Sequence, residues 1–549
     1  MRCNIHEGEI CSACSELLQL QVKIQECKSD PIDLCVREIR LKTSINASHD
    51  LIIGRLPLEV ASQIFTLCDT RPEGYVVTLF DPLLWSKSRN FPFSLAAVCT
   101  AWRRIAWCTP QLWTRTRVRL YAERAVSQKE MLALSLKLSG SFPLSLEVRL
   151  RDQYMPSEAD YSILAPVIEM LNTHSERWKA LDLSLPSRLL ALMKGTLPGA
   201  PRLQTLLIHC FSNSRNKTGS VFVVPGCLPS PSRVHVTGLR ISQLNISWSN
   251  VTKVKMGVLA DGECLEFFKL ATRLVECQIG VDLGSSDLTV NGALTTLPSL
   301  KILQLLLIEP VDRFLDQLVL PSLNILRLEG AGPFNWLERL ITRSSCRLMS
   351  LIFVDTTDSD HWDIRPILQK TQHLEELTFY GEYVGGLENF FEDLARTKIV
   401  NESSQDTFLP RLQSLSYNGG NNYDYPWELI SAIFPPTEQA DGSQYRPLRK
   451  LDINFSTDMA YEEGDYVEVD LVPALLQLQQ RGQLKVMNDR DGTDFILCSH
   501  EYHLSVEDED EDQDDGSGDD DEGESDEEED ESDEDEADLD EEVEVDSDT

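Results

Sequence analysis

Residues 298–305, PSLKILQL, and residues 321–328, PSLNILRL, carry the reading on which the fold turns. Leu300/Leu303/Leu305 and Leu323/Leu326/Leu328 share the order apolar-x-x-apolar-x-apolar. The last two positions of each alternate with other residues, the period of a strand with one buried face. Pro298 and Pro321 stand just ahead, where a missing N–H costs no ladder hydrogen bond. The same order recurs at Leu203/Leu206/Ile208, Val251/Val254/Met256, Leu274/Cys277/Ile279, Leu348/Leu351/Phe353, Leu374/Leu377/Phe379, Leu412/Leu415/Tyr417 and Leu448/Leu451/Ile453, with Pro201, Pro410 and Pro447 preceding three of these copies. Successive starts from Val251 to Leu374 differ by 23, 26, 23, 25 and 26 residues, and the next steps of 38 and 36 imply insertions. Helix-like stretches such as 314–318 and 336–341 lie between.

One strand and one helix per repeat, stacked side by side, makes a continuous core, and the spacing lies in the 20–29-residue range of leucine-rich repeats. The expected class is α/β, with an irregular leucine-rich-repeat-like solenoid over residues 119–505. The competing reading is an unrelated α/β domain with Leu-rich strands. The Asn that such repeats carry three residues after the last strand position is replaced by Ile308, Ala331, Thr356 and Glu382, so the turns must satisfy their backbone groups differently. Strand alternation names an outward face, on which Gln304, Arg327, Ile352, Thr378, Tyr380 and Ser416 are the candidate substrate-binding residues. Their mixed chemistry suits a protein partner better than catalysis, unless loops or the tail cover them.

Residues 51–118 read differently. Pro57 fits a first helical turn, after which Val60, Ile64 and Leu67 form one apolar stripe and Ala61, Phe65 and Cys68 a second beside it. An insertion follows, roughly from Arg71 to Asn90. Residues 93–106 then place Leu95, Val98, Cys99, Trp102, Ile105 and Ala106 at helical spacing, and Thr109-Pro110 reads as an N-cap with Pro at N1. So short a segment has little interior for two apolar faces. Either a partner covers the second face, or the downstream domain does.

This stretch resembles an F-box domain. The matching residues are Leu56, Pro57, Glu59, Ile64, Phe65, Val98, Cys99, Trp102, Arg103, Pro110, Leu112 and Trp113. The arrangement, with a helical lead and a long insertion, is similar to F-box proteins of mushroom-forming fungi; the insertion departs from the motif. The resemblance implies a substrate-recognition adaptor of a Skp–cullin–F-box ubiquitin ligase. Leu56, Pro57, Val60, Ile64, Phe65, Val98, Cys99, Trp102, Ile105 and Trp113 would then contact the Skp-type adaptor, with a protein substrate held by the repeats. No chemistry, metal or cofactor is required of the chain itself, since such an adaptor acts by proximity.

Charge divides the chain. Of 89 Asp+Glu against 50 Lys+Arg, net −39, 30 acids fall between Glu507 and Thr549, where no Lys or Arg occurs. The remainder is net −9, without the basic excess of a nucleic-acid binder. Residues 506–549 cannot bury a core; they read either as a solvating tail or as a dock for basic partners such as histones, which makes an acidic chaperone or scaffold the alternative function. Ser525 and Ser532 each have an acid three residues later and resemble acidophilic-kinase sites. Residues 1–50 suggest a short helical lead. Cys3, His6, Cys11 and Cys14 allow a zinc reading, with chance thiols at a terminus as its competitor. The absence of an apolar run of membrane-spanning length, of a signal-like start and of the common catalytic motifs leads us to expect reduced thiols, no membrane contact, no enzyme activity and a cytoplasmic and/or nuclear location.

Overall fold

A computed structural model describes residues 10–26, 32–48, 56–68, 91–150, 157–211, 221–282, 294–308, 312–330, 335–354, 364–381, 387–399, 408–419, 425–435, 445–455, 466–488 and 492–511. Among them, fourteen strands form one sheet: β1 (Arg115–Leu120), β2 (Leu144–Leu150), β3 (Trp178–Ser184), β4 (Thr205–His209), β5 (Arg233–Thr237), β6 (Lys253–Ala260), β7 (Glu276–Asp282), β8 (Ile302–Leu307), β9 (Ile325–Glu329), β10 (Ser350–Val354), β11 (Glu376–Tyr380), β12 (Ser414–Asn418), β13 (Lys450–Phe455) and β14 (Leu484–Asn488). Their order in space is their order in the chain, and every neighbouring pair is parallel. The architecture is therefore mixed α/β with one large parallel sheet, open at β1 and β14.

The apolar triads explain this order. All nine copies are buried, none of their residues more than 4% exposed. A parallel neighbour requires a crossover long enough to return the chain to the same end of the sheet; α-helices supply it between most neighbours, while β5 and β6 are joined through the 3-10 turns Ile241–Gln243 and Trp248–Asn250. In the helices Asp261–Leu270, Asn335–Ser344 and Leu387–Arg396, the residues Leu265, Phe268, Leu337, Leu340, Phe390 and Leu394 join the triads in one continuous core. The nine copies account for β4 and β6–β13. Of the other five strands, one carries a further complete copy and four carry weaker versions. Trp178/Leu181/Leu183 is complete; Pro143, Pro231 and Arg481 replace the first apolar residue ahead of β2, β5 and β14; and β1 follows Trp113/Thr116/Val118. The sheet therefore begins at Arg115, and the boundary expected at residue 118 falls inside a strand.

The turns after β5 and β9 manage without the usual Asn. Two residues after the last buried strand position, the chain places Gly238 and Gly330, with φ +79° and +118°. A Cβ at Gly330 would stand 2.0 Å from the Leu307 carbonyl oxygen, and one at Gly238 1.9 Å from that of Cys210. Glycine alone allows both this φ and this close approach to the preceding strand's end. Ala331, Thr356 and Glu382 lie outside the described residues.

Ahead of the sheet stand α1 (Ser12–Glu26) and α2 (Ile32–Ser48), which pack on each other through Cys14, Leu17 and Ile45. Arg37–Glu16 and Gln21–Glu38 join their polar sides. Next come α3 (Leu58–Cys68), α4 (Phe91–Val98), α5 (Thr100–Trp107) and a single 3-10 turn, Pro110–Trp113. The apolar run 93–106 is thus two helices. Cys99 breaks it by turning extended, φ −156° and ψ 173°, and its Sγ accepts from the Trp102 N–H at 3.4 Å, capping α5. Thr109 sits at the expected cap position but does not cap with its side chain. Its hydroxyl donates instead to the Ile105 carbonyl at 2.8 Å, one of the groups a helix end leaves without an intrahelical donor, and lies 2.9 Å from Ser62 Oγ on α3.

Candidate interaction surfaces

Helices α3–α5 share a small core of Ala61, Phe65, Leu95, Ala96, Ile105, Ala106, Leu112 and Trp113. Phe65 lies 4.7 Å from the Trp102 ring, Phe93 meets Trp113 edge-on at 5.0 Å, and Trp113 Nε1 donates to the Ala106 carbonyl at 2.7 Å. Three of the residues expected at an adaptor contact, Phe65, Ile105 and Trp113, are therefore interior, while Ile64, Cys99 and Trp102 are half-buried. Leu56, Pro57, Val60 and Val98 are exposed. The two stripes of α3 differ in burial: Ala61 and Phe65 pack inward, with Cys68 exposed at the helix end, while Val60 and Leu67 remain 38% and 66% exposed on the other stripe and Ile64 between them is half-buried. Leu58 at 55% and Val98 at 48% add to the exposed apolar surface. Single exposed aliphatics are ordinary; these four stand on α3 and at the end of α4.

The second surface is the outward side of the sheet. Here the strand register brings together residues scattered through the chain. Arg117, Glu147, Asp182, Leu207, His235, Lys255, Gln278, Gln304, Arg327, Ile352, Thr378, Ser416, Asp452 and Lys485 stand side by side in one row. Five of the six residues expected on this face occupy adjacent places in it. Tyr380 belongs to the next row, beside Val354 and Asn418, and the Arg327 guanidinium lies 5.8 Å from its ring centroid.

The first strands hold most of the charge, a feature that the strand pattern alone did not single out. Arg117 bonds Glu147 at 2.9 Å, and Arg149 reaches both Glu147 at 3.2 Å and Asp182 at 3.4 Å. Burial raises the Asp182 carboxyl to about 6, against the opposing pull of Arg149. Burial and then Lys255 lower His235 to about 4; His209, whose Nδ1 is 2.7 Å from Thr237 Oγ1, is lowered by burial and Arg149. Both rings are therefore neutral at pH 7. Across the three outward rows of β1–β9, Arg115, Arg117, Arg119, Arg149, Arg233, Lys253, Lys255 and Arg327 face Glu147, Asp182, Glu276 and Glu329, a net of 8 − 4 = +4. Strands β10–β14 balance Lys450 and Lys485 against Glu376 and Asp452. A cavity of about 350 Å³ opens where the helical unit meets β1, lined among others by Phe93, Trp113, Arg115, Arg117, Arg119 and Arg124.

Other expected sites resolve less. Cys14 is buried against Ile45, and its N–H donates to Cys11 Sγ at 3.4 Å; Cys3 and His6 lie outside the described residues. No cluster of three or more His, Cys, Asp or Glu suited to a metal, and no helix long and apolar enough to cross a membrane, occurs among the described residues. Burial pushes the Cys264 and Cys277 thiols up, as expected of cysteines serving as packing. Ser525 and Ser532 lie outside the described residues. Comparison of the chain with models of protein families finds no match. A search of curated proteins finds no matching relative either.

Proposed function

We propose that the chain is a substrate-recognition adaptor of a Skp–cullin–F-box type ubiquitin ligase. On this reading residues 51–118 hold the F-box and the parallel sheet with its helices is an irregular leucine-rich-repeat solenoid. The observation that carries it is the division of α3: Ala61 and Phe65 build the helical core, and Val60 and Leu67 remain exposed within the segment that resembles an F-box. Leu56, Pro57, Val60 and Val98 are then direct contacts, and Phe65, Ile105 and Trp113 act by holding the helices in place. The outward sheet rows would present a protein substrate to the conjugating enzyme, raising its local concentration without chemistry by this chain.

The test is co-purification of the full chain with a Skp-type adaptor and cullin. A buried Leu or Val side chain contributes about 1.5–3 kcal/mol. Leu58→Asp with Val60→Asp should therefore weaken adaptor binding at least about tenfold while leaving the circular-dichroism melt unchanged. Folded wild-type chain that fails to bind the adaptor refutes the reading. Activity in holding basic proteins that disappears on removal of residues 512–549 would favour the acidic-chaperone function instead.

A further inference from the structure

The sheet face and the C-terminal sequence carry opposite charge, and the fold places them within reach of each other. Helix Phe495–Glu511 packs on β14, so the chain leaves the described structure at the far end of the sheet from β1. Beyond it, residues 512–549 hold 30 − 5 = 25 Asp and Glu and no Lys or Arg. We propose that this acidic segment docks on the outward face of its own sheet around β5–β6.

Three observations support this occupant. First, the positive excess is local, confined to the first nine strands of a chain whose net charge is −39. Arg233 and Lys255 are exposed and make no ion pair among the described residues, while their neighbour Lys253 is held by Glu276 at 2.5 Å. Second, the geometry permits it. From β14 to β5 is nine strand spacings, about 43 Å at ~4.8 Å each, whereas 38 residues span up to roughly 130 Å when extended. Third, tethering raises the effective concentration of the segment to about the millimolar range, so weak individual contacts suffice. The attraction is between exposed charges and must fade once the Debye length shrinks to ~3 Å near 1 M salt. Ser525 and Ser532 lie within the segment, and a phosphate on each adds about −1.5 to −2 charges, which tightens the docking. The inference does not depend on adaptor binding by residues 56–113.

The experiment compares the full chain with one ending at Glu511, which retains every described element. Acetylation of Lys255 by a small acylating reagent should be several-fold slower in the full chain, with the difference lost at 1 M salt. A synthetic peptide of residues 512–549 added to the shortened chain should restore the protection. It should fail to protect Lys255 in a shortened chain carrying Arg233→Glu with Lys253→Glu. Equal Lys255 reactivity in the two chains at low salt overturns the proposal, as does protection that persists at 1 M salt. Carbodiimide cross-links should join Lys255 to the acidic segment within one chain. If they appear only between chains, the occupant is a second copy's tail and intramolecular docking is refuted.

Discussion

Arg446 offers the sharpest test of the packing. It is 2% exposed and has no carboxylate partner in its hydrogen-bond set. Instead Nε donates to the Leu409 carbonyl at 3.0 Å and Nη1 to the Leu394 carbonyl at 2.7 Å. Nη2 reaches the Thr397 carbonyl at 3.1 Å, Thr397 Oγ1 at 2.7 Å and the Phe408 carbonyl at 2.7 Å. Leu394 and Thr397 lie at the C-terminal end of helix Leu387–Arg396, where carbonyls lack intrahelical donors and a cation is favoured. Leu409 and Phe408 begin the approach to β12. One guanidinium thus ties a helix end to the next strand across an insertion. Burial lowers its pKa to about 10, which leaves it charged at pH 7.

Arg446→Ala leaves four carbonyls and one hydroxyl without these donors. At about 1–3 kcal/mol per stranded buried group, offset by water entering the space and by relief of the arginine's desolvation, the net loss should be about 3–5 kcal/mol. Arg446→Lys, with a flexible ammonium in place of the planar fork, should lose about half as much. Because a repeat array need not unfold in one step, the assay is amide exchange resolved by segment alongside urea unfolding. Protection should fall first in residues 387–399 and 408–418 and least near β1–β4. A loss below 1 kcal/mol with unchanged exchange across residues 387–418 would refute this account of the guanidinium.

Two further predictions concern the sheet. The Asp182 carboxyl, near 6 in the folded chain against 3.8 as a free side chain, is penalised when ionised, so its contribution to stability falls as pH rises from about 4 to 6 and then stays flat. Asp182→Asn should therefore gain up to about 3 kcal/mol relative to wild type between pH 4 and pH 7, measured as the difference between paired urea melts. The difference isolates Asp182 from His235, whose lowered value removes stability in the opposite sense as pH falls from 6.5 through 4. A pH-independent difference would contradict the assignment. Gly330→Ala forces a Cβ against the Leu307 carbonyl at a φ that L-residues avoid, and should cost at least about 2 kcal/mol in the same assay; a change within 0.5 kcal/mol would show that the turn relaxes freely.

Much of the sheet was legible because a strand with one buried face writes its burial into alternate residues. Leu300, Leu303 and Leu305 needed no partner strand to be read as interior. Where a strand's first apolar place holds Pro143, Pro231 or Arg481, the signal drops to a bare alternation; Trp178/Leu181/Leu183 is complete but stands apart from the evenly spaced run that begins at Val251. The α5 boundary was hidden for a related reason. Helical spacing continues through Cys99, and only the backbone turn at that residue shows that its sulfur caps a second helix.

The linear order of residues by itself determined which side chains of β4 and β6–β13 enter the core, because pleat and hydrophobicity act within a few residues. It also determined that the negative charge gathers at one end of the chain. Only the tertiary structure decided which outward residues are neighbours. Register across fourteen strands aligns Gln304 with Arg327 and Ile352, and gathers eight cations against four acids on β1–β9. It also decided which of the two apolar stripes on α3 is spent on the protein's own core. Both outcomes depend on contacts between segments far apart in sequence, whose geometry no local pattern contains.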